Sequence, residues 1–359
     1  MKPFPWVRLG LSALAVWMAC GATAGTRESA SARAFLTGTF NLSKSDLDRV
    51  DAGQVVTRTL DAADKREVAT LGVVRIRITP EFYVDRFQDI VSFKKNEAVL
   101  QIGTLGNPPA VAEMAGMTLD EHDVRHLRRC RVGDCGVQLP AAVIGRFQTD
   151  VDWTKPDAHR QAERLLRHTL VDYAATYLKA GAGAAIEYAD ETTRVHLGRE
   201  WTSLMGTDVP GWKTFPALRQ YLADFPASDV PGTIDRLYWS KEKVSRRTVV
   251  SVTHLAIMKT STETPADYAI ASRQIFATHY FDASLGLTVL VRDRSAPAPT
   301  TYLTYLNRSR VDVFGGLFGG VTRHIVSSKA RGTVEDLLGR LQRSLEKQFA
   351  ASRLPPLQH

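Results

Sequence analysis

Thr301-Tyr302-Leu303-Thr304-Tyr305-Leu306-Asn307-Arg308-Ser309-Arg310-Val311-Asp312-Val313 is the last of five stretches with strand composition in the final third of the chain. Its predecessors are Leu237 to Val244, Thr248 to Lys259, Tyr268 to Phe281 and Gly286 to Arg292, each set off by turn-like residues. Five such runs in succession predict an antiparallel meander. Phe314-Gly315-Gly316-Leu317-Phe318-Gly319-Gly320 follows, where paired glycines serve either as turns or as the hinges of an apolar gate. Beyond it, Thr333 and Asp336 have the spacing of a capping box. Val334, Leu337, Leu338, Leu341 and Leu345 then form a helical stripe running to Phe349, with Arg340, Arg343, Glu346 and Lys347 opposite. A stripe of this kind needs an apolar surface, and the meander needs a cover for one face. Each element supplies what the other lacks.

Upstream the pattern mixes helices and strands. Gln54 to Leu60 and Val68 to Ile78 have strand character, the second alternating as Val74-Arg75-Ile76-Arg77-Ile78. Pro80 suits the first turn of a helix carrying Phe82, Tyr83, Arg86, Phe87 and Ile90 on one face. A short strand is expected at Ala98 to Ile102 and a helix at Leu119 to Leu127. A long helix runs from Lys155 to Lys179 with Leu165, Leu166, Thr169, Leu170, Tyr173 and Leu178 inward, and Gly181-Ala182-Gly183 ends it. A strand at Ala184 to Ala189 and a short helix at Phe215 to Phe225 follow. The fold class is α+β: a curved antiparallel sheet packed by a long carboxy-terminal helix, with a helical insertion and an amino-terminal α/β portion. The expected divisions are a signal at 1–24, a loosely ordered leader at 25–53, the amino-terminal portion at 54–150, the sheet-and-helix domain at 151–350 and a tail at 351–359.

The signal reading rests on Lys2 and Arg8 before the apolar run Leu9 to Ala19, then Ala22 and Ala24 as the small residues before a cut. That run is too short to span a bilayer. Cleavage after Ala24 makes the protein periplasmic or secreted, and the alternative is a lipoprotein acylated at Cys20. Cleavage removes Cys20 and leaves Cys130 and Cys135, which in an oxidising compartment read as a disulfide around Gly133. His122 and His126 stand nearby at helical spacing without further ligand pattern, so no metal is expected.

The 359 residues are 44% hydrophobic and 23% charged, which suits a globular chain with a real core. The net charge of +8 comes from dispersed basic residues without an aromatic-interleaved stripe. Nucleic acid is therefore not an expected partner, whereas weak attraction to an anionic membrane surface is. No phosphate loop, dinucleotide fingerprint, zinc-protease helix or Gly-x-Ser-x-Gly elbow occurs, so no cofactor and no catalytic residue is assigned.

The order of a curved antiparallel sheet ending in a long amphipathic helix resembles the helix-grip proteins of the START and polyketide-cyclase-like superfamily. The resemblance covers roughly Ala184 to Phe349 and rests on element order. The helical insertion and the portion before Asp150 depart from that pattern. The stretch Tyr302 to Asp312 is also similar to segments of uncharacterised exported bacterial proteins. The superfamily implies a helix closed over the sheet with an apolar cavity for a lipid or other hydrophobic molecule, oriented by a few polar side chains. Candidate ligand contacts are Leu338 and Leu341 on the helix, Arg273 and His279 on one face of the third meander strand, Tyr280 beside them, and Asn307 and Arg308 on the last strand. The competing reading of Arg273 and His279 is a solvated face, and that of Asn307, Arg308, Arg310 and Asp312 is an Arg–Asp network pinning the sheet end to the helix. The expected function is carriage of a hydrophobic ligand. A hydrolase or cyclase-like enzyme using Arg273 and His279, and a structural envelope protein with a filled core, are the alternatives.

Overall fold

The computed structural model describes residues 23–206, 211–228, 230–261, 264–311 and 319–353. The expected signal core with Cys20, and the segment from Asp312 to Phe318 that holds most of the candidate gate, lie outside them. The chain begins with α1 (Thr23–Phe40) and α2 (Lys44–Asp51), followed by β1 (Val56–Leu60) and β2 (Glu67–Ile76). Next come α3 (Pro80–Gln88), α4 (Ile90–Lys94) and β3 (Val99–Leu105). The helical insertion comprises α5 (Glu121–Arg129), α6 (Ala141–Thr149), α7 (Ala158–Ala180), the ladder β4 (Glu187–Tyr188) and β5 (Val195–His196), α8 (Leu197–Leu204) and α9 (Pro216–Asp224). The meander is β6 (Ile234–Val244), β7 (Arg247–Lys259), β8 (Tyr268–Ala277), β9 (Phe281–Arg292) and β10 (Thr301–Val311), and α10 (Gly319–Ala351) closes the described chain.

One eight-stranded sheet runs in the order β1-β2-β10-β9-β8-β7-β6-β3, and every neighbouring pair is antiparallel. The five meander strands lie side by side in chain order, as their composition predicts. Strands from the amino-terminal portion extend both edges, so that portion and the meander share one sheet. The tight β6–β7 hairpin turns at Ser245, whose φ of 56° matches the left-handed geometry that two-residue hairpins require.

Alternation divides the side chains between two layers. Leu303 of β10 faces the layer built from α10, α3 and α4, while Tyr302 and Leu306 face the layer built from the amino-terminal helices and the insertion. On the first side Val334, Leu338 and Leu345 are buried, Leu341 is half-buried and Leu337 is 38% exposed, so the predicted stripe is real but one residue narrower. Each fully buried apolar side chain contributes about 1.5–3 kcal/mol. The helix is seated chiefly over β2 and β1, outside the meander it was expected to roof. Gly72 explains the seat: a Cβ there would lie 2.6 Å from both Leu338 Cδ1 and Val334 Cγ1, so only a glycine lets the helix rest against the strand backbone. Arg77 and Glu346 join helix to sheet at 3.0 Å.

Two expectations are corrected. The region anticipated as a loosely ordered leader holds α1 and α2, with Leu36, Phe40, Leu42, Leu47 and Val50 buried in the insertion-side core. Ser43 and Asp46 form a complete capping box for α2. Thr333 is not a helix cap, because α10 starts at Gly319 and the Thr333 hydroxyl donates to the Lys329 carbonyl at 2.9 Å within it. By contrast, Thr79 caps α3 through the Phe82 amide with Pro80 in the first turn, as the sequence indicates. Cys130 and Cys135 form a disulfide with Cα atoms 4.4 Å apart. Gly133 turns that loop at a φ of 86°, and its amide donates to the Ala189 carbonyl.

Candidate functional site

Between α10, the α3–α4 corner and the sheet lies a cavity of about 260 Å³. Its walls are apolar: Leu255, Ile270 and Leu303 rise from the sheet, Leu338 and Leu341 descend from α10, and Phe87, Ile90 and Phe93 close the side. Tyr83, Phe87 and Phe93 pack edge-on and stacked with ring centroids 4.9–5.7 Å apart, which stiffens that corner. The size lies just under the roughly 300–1,000 Å³ typical of small-molecule sites.

One end of the cavity is polar. Tyr238, Ser240 and Glu242 share a face of β6 by alternation, and Lys94 at the end of α4 reaches them. The Lys94 ammonium donates to Glu242 Oε1 at 2.7 Å and to the Tyr238 hydroxyl at 3.2 Å, and Ser240 donates to the same carboxylate oxygen at 2.7 Å. Burial opposes the charge on Lys94, but Tyr238 and Glu242 outweigh it and hold the pKa above its usual value. Burial likewise raises Glu242, and Lys94 reverses that, leaving the carboxyl below its usual range. Both groups are therefore charged at neutral pH. Lys94 carries three donors, of which two are engaged, so one remains for an acceptor in the cavity. The sequence reading missed this cluster. The Tyr238-x-Ser240-x-Glu242 alternation was its one visible signal.

The candidates named from sequence do not converge on one place. Leu338 and Leu341 line the cavity. Asn307 lies on the same face of the sheet, but its amide bonds Ser284 and Ser309. Arg308 points to the opposite face and pairs with the buried Glu67 of β2, while Arg310 pairs with Glu200 of α8 and Asp64. This is an ionic network at the sheet end, anchored on β2 and α8.

Arg273 and His279 do not meet. A bulge between Val252 and Thr253 shifts the β7–β8 register past Ile275 and interrupts the alternation that would align them. His279 lies past the end of β8, where Nε2 contacts Asp123 at 3.0 Å and Nδ1 contacts the Arg247 guanidinium at 3.3 Å. Tyr280 adjoins it at a φ of 67°, beside an open pocket that also holds Gln138 and Arg246.

Arg273 instead ends a buried chain beneath the insertion. Asp235 Oδ1 accepts from His254 Nε2 at 2.7 Å, His254 Nδ1 accepts from the Tyr177 hydroxyl at 2.8 Å, and that hydroxyl accepts from Arg273 Nη1 at 3.3 Å. The directions are forced, because the carboxylate only accepts and the guanidinium only donates. Burial lowers the His254 pKa, with the Arg273 charge adding to it and Asp235 opposing, so the ring is neutral at pH 7. Trp201 lies 5.0 Å from the guanidinium carbon and completes the enclosure. Five elements contribute these residues, and no spacing in the sequence connects them.

Among the described residues no group of His, Cys, Asp and Glu is arranged to hold a metal ion, and no helix is long and apolar enough to cross a membrane. Compared with known proteins, the chain matches no protein-family model, and a search of curated proteins finds no match.

Proposed function

We propose that the protein is an exported carrier of a hydrophobic, lipid-like small molecule, held between α10 and the sheet in the manner of the helix-grip superfamily. The cavity carries this reading: apolar walls end in Lys94 and Tyr238, with Glu242 bonded to the ammonium, which suits a ligand with an apolar body and a hydrogen-bond acceptor at its head. The ammonium is already neutralised by Glu242, so an uncharged acceptor such as a carbonyl oxygen is matched better than a second anion. The signal-type amino terminus and the Cys130–Cys135 bridge support a periplasmic or secreted setting, and the net charge, +8 for the full chain and +6 once Lys2 and Arg8 leave with the signal, supports weak attraction to anionic membrane. The enzyme reading required Arg273 and His279 to converge, and they have no hydrogen-bond partner in common among the described residues.

Native mass spectrometry of gently purified protein is expected to show a co-purified lipid-like adduct. After delipidation, the neutral probe N-phenylnaphthylamine should bind one per chain with enhanced fluorescence. Leu341→Trp, at a half-buried position on the cavity wall, should abolish the probe signal while leaving the circular dichroism unchanged. Absence of both adduct and probe binding, or binding that persists in Leu341→Trp, would remove the proposal.

A further inference from the structure

We infer that the pocket between α8, α9 and the Gly181–Ala184 turn is a binding site for a small organic carboxylate, with Arg273 at its floor and Arg219 at its rim. The pocket measures about 230 Å³ and is separate from the α10 cavity, on the other face of the sheet. Trp201, Met205 and Leu222 give it apolar walls, and all three are buried.

The argument starts from an uncompensated charge. Arg273 is 0% exposed, yet no carboxylate among the described residues forms an ion pair with it. Its Nη2 donates to the Leu222 carbonyl and to Met205 Sδ at 3.9 Å, its Nη1 to Tyr177, and its Nε has no partner. A buried guanidinium without a counter-charge is far more costly than one that is paired. Asp235 stands at the far end of the hydrogen-bonded chain, with two neutral side chains between, and its own oxygens are taken by His254 and Tyr221. The other acids near the pocket are also engaged: Glu200 holds Arg66 and Arg310, and Asp224 accepts from the Gln220 amide. Arg219 lines the same pocket and likewise has no ion-pair partner among the described residues. Two unpaired guanidinium groups, one with a free planar donor, match the two oxygens of a carboxylate. The indole and the two apolar side chains match a short hydrocarbon or aromatic body rather than a fully hydrated ion.

Isothermal titration of the full chain with sodium benzoate, acetate and inorganic phosphate tests this. Benzoate should bind one per chain, more tightly than acetate or phosphate. Arg219→Gln should weaken it roughly two- to fivefold, as expected for a part-exposed charge contact. Ala223→Glu, at an exposed position on the pocket wall, supplies a tethered carboxylate and should weaken benzoate at least about tenfold with the melting temperature preserved. Leu341→Trp should leave benzoate binding unchanged, so failure of the α10 cavity and failure of this pocket are distinguishable. No saturable benzoate heat in the unaltered protein, or undiminished affinity in Ala223→Glu, would overturn the site. Phosphate binding tighter than benzoate would overturn the carboxylate assignment.

Discussion

On the insertion side of the sheet, helices α1, α2 and α5 to α9 cover the strands so fully that Trp201, Trp212 and Tyr177 are each at most 1% exposed. On the α10 side one long helix covers the β1–β2 edge, a two-helix corner covers part of the rest, and about 260 Å³ stays empty between them. The same strands supply both faces. What differs is the number of covering elements: a helix is about 10–12 Å across with its side chains, and neighbouring strands are about 4.8 Å apart, so one helix spans only two or three strands. The insertion covers its face with many helices, with a pocket of about 230 Å³ between two of them, and encloses the hydrogen-bonded chain from Arg273 to Asp235. The α10 face keeps its space against the strands, under a single helix and a corner, which is where the hydrophobic ligand is proposed, whereas the insertion-side pocket opens between helices, and the larger share of the stability is expected from that side.

The largest effect should come from the filled face. Trp201 is 1% exposed, donates from Nε1 to the Gln274 carbonyl at 3.0 Å and covers Arg273. Trp201→Ala should cost about 3–5 kcal/mol in urea unfolding, since it removes a buried indole, its hydrogen bond and the cover of Arg273. A loss under about 1 kcal/mol would mean that this face is not packed as described. Leu338→Ala on the other face should cost about 2–3 kcal/mol, the lower part of the range for buried leucine, because one side of Leu338 already borders empty space. It should also widen the cavity, so affinity for a larger probe should rise or hold while stability falls. Loss of both together would show that Leu338 touches the ligand as well as the strand.

The difference between the faces also explains what could be foreseen. The meander and the apolar stripe of α10 are local patterns, with strand composition over each run and Val334, Leu338 and Leu345 at helical spacing. The seat of α10 on β2 and β1 is not local, because β2 pairs with β10 across more than 200 residues of sequence. The leader was misjudged because its apolar residues, Leu36, Phe40, Leu47 and Val50, are isolated among Ser, Asp and Arg, so composition concealed their burial. Arg273 was visible as a charged residue among Ala269, Ala271 and Ile275, but its partners Tyr177 and Leu222 come from helices and not from the strand that carries His279. The β8 bulge is invisible to simple alternation, and it undid the pairing of Arg273 with His279.

Acid separates the faces by pH. His254 has a folded pKa below its ordinary 6.5, so in falling pH the unfolded chain takes up the proton first and the folded state loses stability below about 6.5, until the folded ring itself protonates. The slope reaches at most about 1.4 kcal/mol per pH unit for one group. Glu242 on the α10 side also has a lowered pKa, so its contribution is present above its ordinary 4.5 and is lost only as pH falls below that value. Urea unfolding from pH 7 to 4 should therefore show His254→Asn flattening the limb between about 6.5 and 5, and Glu242→Gln altering only the limb below about 4.5. A Glu242→Gln effect near pH 6, or an unchanged upper limb in His254→Asn, contradicts the assignment of these two titrations.

The smallest effect is expected on the outer surface of α10. Arg343 is exposed, one helical position beyond Gln342, whose amide reaches the Arg75 carbonyl at 2.9 Å, and it has no ion-pair partner among the described residues. Arg343→Ala removes neither a buried contact nor a compensated charge, and alanine is the better helix former by a few tenths of a kcal/mol. Its melting curve should shift by no more than about 0.5 kcal/mol in stability. Arg343 lies beyond buried Leu338 and just before buried Leu345, and at about 3.6 residues per turn it faces away from both, so a docked α10 must respond strongly at Leu338 and hardly at Arg343. Comparable losses at the two positions would mean that the helix is not held by one face, and the cavity beneath it would have no fixed roof.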